Sequence, residues 1–250
     1  MIGREWYAIC VGTALGAMAV CLYRRLRADR LNPRDESKLL VAFPLMLLAG
    51  VVSAVVADAL FTGDWRTWCA CGTRRFGLTF MGFLLAVVLF LACYGRMSGI
   101  GGAYLLNALL PSLALGQAIG RIGCFLGGCC YGRPCAWGVA YPEGNLPYSV
   151  YGNAPLFPVQ LVEAVFLFLL FGVCQTVPFR CRWWVYLGGV SAIRLGLDFF
   201  RGDLPTRAGL SPQQLVAVGV LVALGVIGVR NAGQRLSPRR RRYGGCISLG

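Results

Sequence analysis

The sequence predicts an all-α, polytopic membrane protein with about seven transmembrane helices, the N-terminus outside and the C-terminus inside. Two observations carry this. First, the 250 residues are 57% hydrophobic and only 14% charged, with a mean hydropathy of +0.65. That balance belongs to a chain that is mostly in lipid, and apolar stretches of roughly 20 residues are long enough to cross a bilayer. Second, the basic residues cluster in alternate connections. With the N-terminus outside, the cytoplasmic segments hold Arg24, Arg25, Arg27, Arg30, Arg34, Lys38, Arg96, Arg180, Arg182, Arg230, Arg235 and Arg239 to Arg242, which is 15 of the 24 Lys and Arg residues. Basic loops stay in the cytoplasm, so this distribution orients the bundle.

The first apolar span covers 7–23. Its basic cluster follows it, whereas a signal peptide carries its charges before the apolar region. The second span covers 39–61, with Asn32-Pro33 as a cap and first turn. The third covers 76–94 and the fourth 98–120, where Pro111 is a kink candidate. The fifth, 159–177, is stopped by Pro178. The sixth covers 183–200. The seventh starts at Ser211, where Ser211-Pro212-Gln213-Gln214 has the pattern of a capping box with proline in the first helical position. No internal repeat is evident, which removes the sequence signature of a transporter built on inverted repeats. Residues 1–234 read as one transmembrane domain and 235–250 as a basic cytoplasmic tail.

The net charge is +14 and there is no histidine. For a polytopic membrane protein this charge fits anionic lipid headgroups, and no nucleic-acid partner is expected. The missing histidine removes the commonest general base and metal ligand together. Of twelve cysteines, Cys10, Cys21, Cys93 and Cys174 lie in apolar segments and read as small buried hydrophobes. Cys69, Cys71, Cys124, Cys129, Cys130 and Cys135 fall on the outer side, where disulfides are allowed. The spacing of Cys124, Cys129, Cys130 and Cys135 matches no established metal pattern and no histidine completes one. No metal and no cofactor are therefore expected, and a structural disulfide fits better.

The most unusual stretch is 120–134, Gly-Arg-Ile-Gly-Cys-Phe-Leu-Gly-Gly-Cys-Cys-Tyr-Gly-Arg-Pro. Its five glycines permit close backbone approach and positive φ, and exposed peptide N–H groups suit an anion. Arg121 and Arg133 lie within it. An arginine at mid-bilayer costs about 2.5–3.5 kcal/mol on the insertion scale, so it needs a partner or a watery cavity. A forked cation beside a glycine-rich turn suggests a bound phosphate. The bland alternative is a tight turn between helices whose arginine snorkels to the interface.

Other ionisable residues gather on the same outer side. Glu163 stands early in the fifth span. Arg194, Asp198 and Arg201 are spaced i, i+4 and i+7 in the sixth, on one helix face, with Asp203 just after. Gln214 lies in the first turn of the seventh, and Tyr7 and Asp58 at the outer ends of the first and second. These groups either neutralise one another or face a ligand, and both roles are compatible.

Gly120-Arg121-Ile122-Gly123 with the run to Gly132 resembles the signature of the prolipoprotein diacylglyceryl transferase family. Further stretches resemble that family in order and spacing: Glu5-Trp6-Tyr7, Gly77 to Gly82, Pro158 to Glu163, Asp198 to Asp203, and Leu210 to Gln214. The resemblance runs from Trp6 to Val229. It implies a seven-span enzyme of the bacterial cytoplasmic (inner) membrane with its site toward the extracytoplasmic side. The reaction implied is transfer of the diacylglyceryl group of phosphatidylglycerol to the lipobox cysteine of a prolipoprotein signal peptide, with glycerol phosphate leaving. On this resemblance Arg121 and Arg201 are the arginines that stabilise the phosphate, and Tyr7 orients a headgroup. Gly120, Gly123, Cys124, Gly132, Glu163, Arg194, Asp198 and Gln214 complete the substrate site.

Four positions depart from the family pattern. Met81 and Phe157 stand where the family carries histidine, Cys124 where it carries asparagine, and Cys129 where it carries glutamate. The proton acceptor then falls to Asp203, Glu163 or a thiolate such as Cys129, or to the lipid phosphate itself. The alternative reading is a non-catalytic phospholipid-binding member of the same fold.

Overall fold

A computed structural model describes residues 2–29, 33–62, 80–203 and 210–236. Eight α-helices are formed among them: α1 (Ile2–Asp29), α2 (Pro33–Thr62), α3 (Phe80–Ser98), α4 (Gly102–Leu126), α5 (Leu146–Tyr151), α6 (Val159–Thr176), α7 (Arg182–Leu197) and α8 (Pro212–Leu236), with one short strand, β1 (Pro134–Val139). Five stretches are long and apolar enough to cross a membrane: Glu5–Ala28, Pro33–Ala54, Gly102–Leu126, Val159–Thr176 and Pro212–Arg230. The other two expected spans are helices too. One is shorter over its described apolar part, Gly82–Ser98. The other, α7, has 16 residues and ends at Leu197, just before Asp198. Large aliphatic side chains stay exposed along the helices, among them Leu48, Leu89, Leu169 and Val222. In water so much apolar surface would be a liability; in lipid it is the solvated face. The chain is thus an all-α polytopic membrane protein.

The chain divides into two compact units, 26–106 and the remainder. In the first, α2 opens on Pro33 with Asp35 and Glu36 in its first turn, where the helix dipole favours acids. It packs along α3. Gly50 leaves room for the Phe83 ring, and the Ser53 hydroxyl donates to the Gly82 carbonyl at 3.1 Å. At the other end the Lys38 ammonium donates to the Ser98 carbonyl at 2.7 Å, and the Tyr94 hydroxyl to the Lys38 carbonyl at 3.1 Å. The turn from α3 into α4 uses Gly99 and Gly101, at φ 75° and 90°.

In the second unit α7 packs between α6 and α8. Gly189 accommodates Leu170, and Tyr186 is fully buried with its hydroxyl bonded to Gln117 of α4. The Asn107 side-chain oxygen accepts the Trp183 peptide N–H at 3.1 Å. Helix α1 meets α4 through small residues: Gly116 faces Met18, and Gly123 faces Cys10 and Tyr7. Glycine at such contacts lets helix backbones approach in a medium that gives no hydrophobic drive.

Between α4 and α6 the chain forms a small cap. Strand β1 bridges Leu156 at both ends, and Tyr131, Tyr141 and Leu156 make a local core against Phe125 and Tyr151. The Phe157 ring meets Trp137 edge-to-face at 5.2 Å and stacks on Phe200 at 5.1 Å.

Candidate active site

Helix α4 continues past Gly120 to Leu126, so Arg121, Gly123 and Cys124 are helical. The expected glycine-rich anion nest is not formed there. The N–H groups of Gly127, Gly128 and Cys129 bond to the carbonyls of Gly123, Phe125 and Cys124, and no donors of that set remain for a ligand. Among the five glycines only Gly128 takes a positive φ, and Cys130 does so beside it at 57°. Gly132 is required for close packing: a Cβ there would collide with the Phe157 carbonyl. Around Gly120 the space is open.

Helical placement aims Arg121 at α6. Its Nε lies 2.9 Å from one oxygen of Glu163, and Arg194 reaches the other oxygen at 3.1 Å. Arg194 also faces Asp198 at 3.6 Å, and Arg201 approaches that carboxylate at 3.8 Å. Arg201 then holds Asp203 in a two-pronged contact, Nε to Oδ1 at 3.0 Å and NH2 to Oδ2 at 2.9 Å. Arginine and carboxylate thus alternate along one line: Arg121, Glu163, Arg194, Asp198, Arg201, Asp203. All but the two end members are buried to 6% exposure or less. Three cations and three anions cancel, which is how such a charge density survives away from water.

One expectation is corrected. Arg201 is not on the α7 face with Arg194 and Asp198. The α-helix stops at Leu197, Asp198–Phe200 form a 3₁₀ turn, and Arg201 is extended (φ −80°, ψ 137°). It still reaches Asp198 because the tighter turn swings the chain back over it. Its backbone is fixed by the 131–133 segment. Arg201 bridges Gly132, the Gly202 N–H donates to the Tyr131 carbonyl at 3.0 Å, and the Arg133 N–H donates to the Phe200 carbonyl at 2.9 Å. The Arg133 Nε donates to the Arg201 carbonyl at 3.2 Å, so Arg133 braces this segment. Its positioning role carried no signal in the sequence beyond its place in the motif.

The start of α8 closes the array. Ser211 Oγ accepts the Gln214 N–H at 3.1 Å and donates to Asp198 Oδ2 at 3.1 Å, while Gln214 Oε1 accepts the Ser211 N–H at 2.8 Å. Gln214 also donates to the Leu195 carbonyl at 3.0 Å. The capping box forms as expected, and its hydroxyl doubles as a partner of Asp198.

Beside Arg121 lies a group of three thiols. The sulfurs of Cys124, Cys129 and Cys130 all lie within 4.8 Å of one another, half-buried. No disulfide joins them to one another or to Cys135, all four being free. Of the cysteines read as buried hydrophobes, Cys174 is buried, Cys10 and Cys21 are half-buried, and Cys93 is exposed. The left-handed backbone at Cys130 turns adjacent side chains toward Cys124. Gln160, itself fully buried, anchors the turn by donating to the Cys129 carbonyl at 2.8 Å and to the Tyr141 hydroxyl at 3.0 Å. The Cys130 thiol is held well below its ordinary range: Cys124 and Cys129 hydrogen-bond to its thiolate, and Arg201 and Arg121 add attraction against the cost of burial. Cys129 is pushed up by the same hydrogen bonding to Cys124 and Cys130 and by burial. Of the three thiols, these contacts favour the thiolate most at Cys130, which the sequence reading did not single out beside Cys124 and Cys129. The signal was the doubled cysteine after doubled glycine. Tyr7 is 37% exposed on the same side, its ring against Gly123. The Gly77-Leu78-Thr79 stretch, Cys69, Cys71 and the side chains of Asp58 and Met81 lie outside the described residues, as does the tail beyond Leu236.

An alternating arginine–carboxylate line beside a thiol cluster, on helices built for lipid, defines an integral membrane protein with a buried, charge-balanced polar site. The family model described as prolipoprotein diacylglyceryl transferase matches residues 2–230. Two Dehalococcoides mccartyi proteins named phosphatidylglycerol–prolipoprotein diacylglyceryl transferase are 28% and 30% identical to this chain, each over 89% of it and 86% of their own length. A Parasynechococcus marenigrum protein of the same name is 29% identical over 90% of the chain and 88% of its own. The chain belongs to the prolipoprotein diacylglyceryl transferase family and is a membrane transferase.

Proposed function

We propose that this protein transfers the diacylglyceryl group of phosphatidylglycerol to the lipobox cysteine thiol of prolipoproteins, at the extracytoplasmic side of the bacterial inner membrane. The observation that carries this reading is the buried arginine–carboxylate line. Thiolate attack on the glycerol carbon breaks a C–O bond, and charge builds on the departing phosphate ester. Fixed cations in a site of low polarity are the fitting stabiliser of that charge. Arg121 uses Nε for Glu163, which leaves its two terminal nitrogens outside that ion pair. These are assigned to the phosphate. Arg201 is the second cation, and Asp203 holds it until the phosphate takes its place.

Glu163 and Asp198 serve as positioning residues. Each carboxylate is shared between two arginines, so neither is well placed to accept a proton. Gly120, with open space around it, gives the lipid headgroup close access to Arg121. Tyr7 stands at the rim to orient it.

The test is restoration of a reporter prolipoprotein to its diacylglyceryl form, read by mass, in a bacterial host depleted of its own transferase. The wild-type chain is expected to restore the shift and both Arg121→Ala and Arg201→Ala to lose it. A correctly inserted chain that gives no shift would support the lipid-binding alternative.

A further inference from the structure

We propose that Cys124, Cys129 and Cys130 form a three-thiolate site for one zinc-class, thiophilic divalent ion, whose open fourth position takes the thiol of the acceptor peptide. The catalytic half of this inference rests on the transferase reading; the metal site does not.

Three features point to an ion. The sulfurs are already close: thiolates about 2.3 Å from one tetrahedral ion stand about 3.8 Å apart, and these lie within 4.8 Å of one another. The loop that gathers them is built in advance. Cys130 is the only non-glycine at positive φ among the described residues, and such strain persists where the surroundings enforce it. Here the enforcing contacts are the Cys129 N–H to the Cys124 carbonyl at 3.1 Å and Gln160 to the Cys129 carbonyl at 2.8 Å. Finally, three thiolates and a divalent ion leave one net negative charge, and Arg121 and Arg201 both face the cluster.

The ligand set suits soft, borderline metals and excludes magnesium and calcium, which take oxygen. Three protein ligands leave a tetrahedral ion one open position, the arrangement of a catalytic site and not of a structural one. The chemistry needs what such a position supplies. A thiol that binds the ion gives up its proton to water and stays nucleophilic as a thiolate. Its sulfur then forms the new C–S bond to the glycerol carbon. The C–O bond to phosphorus-bound oxygen breaks, its electron pair leaving with glycerol phosphate. Nothing is oxidised or reduced. Such a site answers the question left by a chain without histidine whose buried carboxylates are committed to arginines: the acceptor thiol is ionised by the ion, and no side-chain base is required.

The experiment uses the purified full chain in lipid nanodiscs, reduced with a phosphine, stripped with chelator and titrated with Co²⁺ as the spectroscopic stand-in. One equivalent is expected to give intense thiolate-to-cobalt charge-transfer bands, displaced by Zn²⁺. Cys130→Ser and Cys124→Ser should each lose the saturable signal, and Cys135→Ser should keep it. A lipobox peptide should then shift the cobalt d–d bands, and the same peptide with serine for cysteine should not. Failure of the wild-type chain to bind one equivalent overturns the site. So does full turnover by chain verified as metal-free. Binding without a peptide-thiol shift overturns the open-position role. Binding and a shift without lipid transfer would support the site while counting against the transferase reading.

Discussion

At the residue scale, Glu163 and Asp203 separate two uses of a carboxylate. Glu163 joins two arginines with its two oxygens, so Glu163→Gln strands buried positive charge on both sides. Breaking a buried pair costs about 3–5 kcal/mol, and the variant should show a matching loss in denaturant midpoint and a poor yield of folded protein. Asp203 is at the exposed end of the line and, among the described residues, pairs with Arg201. If it is a placeholder, Asp203→Asn should keep turnover within about tenfold, whereas Arg201→Ala should lose about a hundredfold or more of kcat, as expected for a group that stabilises developing charge. A collapse of Asp203→Asn to the Arg201→Ala level would restore Asp203 as the proton acceptor. Sequence spacing named every member of this line, because intramembrane charges are rare enough to stand out. It could not show the order of pairing, which depends on α4 running six residues beyond Gly120.

At the scale of the element, the end of α7 and the start of α8 are one joint. The Ser211 hydroxyl caps α8 and bonds Asp198 at once. Ser211→Ala should cost about 1–2 kcal/mol as a lost cap and also lower turnover, by loosening the carboxylate that faces both Arg194 and Arg201. Ser211→Thr should recover most of both, and a variant that loses stability alone would separate cap from site. The cap itself was legible, since the serine–proline–glutamine pattern is local chemistry. Its second bond was not, since Asp198 lies thirteen residues away. Helix α1 makes a comparable case. Gly123 allows Cys10 and Tyr7 to touch α4, so Gly123→Leu should displace the N-terminal helix and raise KM for lipid more than it lowers kcat. Steady-state kinetics with a phosphatidylglycerol dilution series would show this.

For the whole molecule, hydropathy and arginine placement were enough to give an all-α membrane bundle, because the bilayer leaves few alternatives for satisfying the backbone. The sixth span, expected at 183–200, is the helix α7, three residues shorter at its C-terminal end. At 16 residues it is shorter than the other spans, and its packing between α6 and α8 makes it part of the bundle. If the N-terminus is outside and the C-terminus inside, as the arginine placement leads one to expect, an alkaline phosphatase fusion after Gly144 is active and one after Arg230 is inactive. The reverse pattern would move the site to the cytoplasm and remove the prolipoprotein reading.

The stitching of 131–133 to 200–202 also limits how the family can vary in length. Tyr131, Gly132 and Arg133 each meet a partner in the second segment, and Arg133 also takes the Phe157 N–H on its carbonyl at 2.9 Å. One added residue would slip all of these registers and carry Arg201 off its carboxylates. The exposed turn at Gly144, with φ 86° and nothing near its Cα hydrogen, has no such obligation. Natural insertions and deletions should accordingly fall around 142–145 and be absent from 129–133 and 200–203. A fluorescent tag or an epitope spliced after Gly144 should leave a working protein, whereas a single alanine inserted after Arg133 should abolish it.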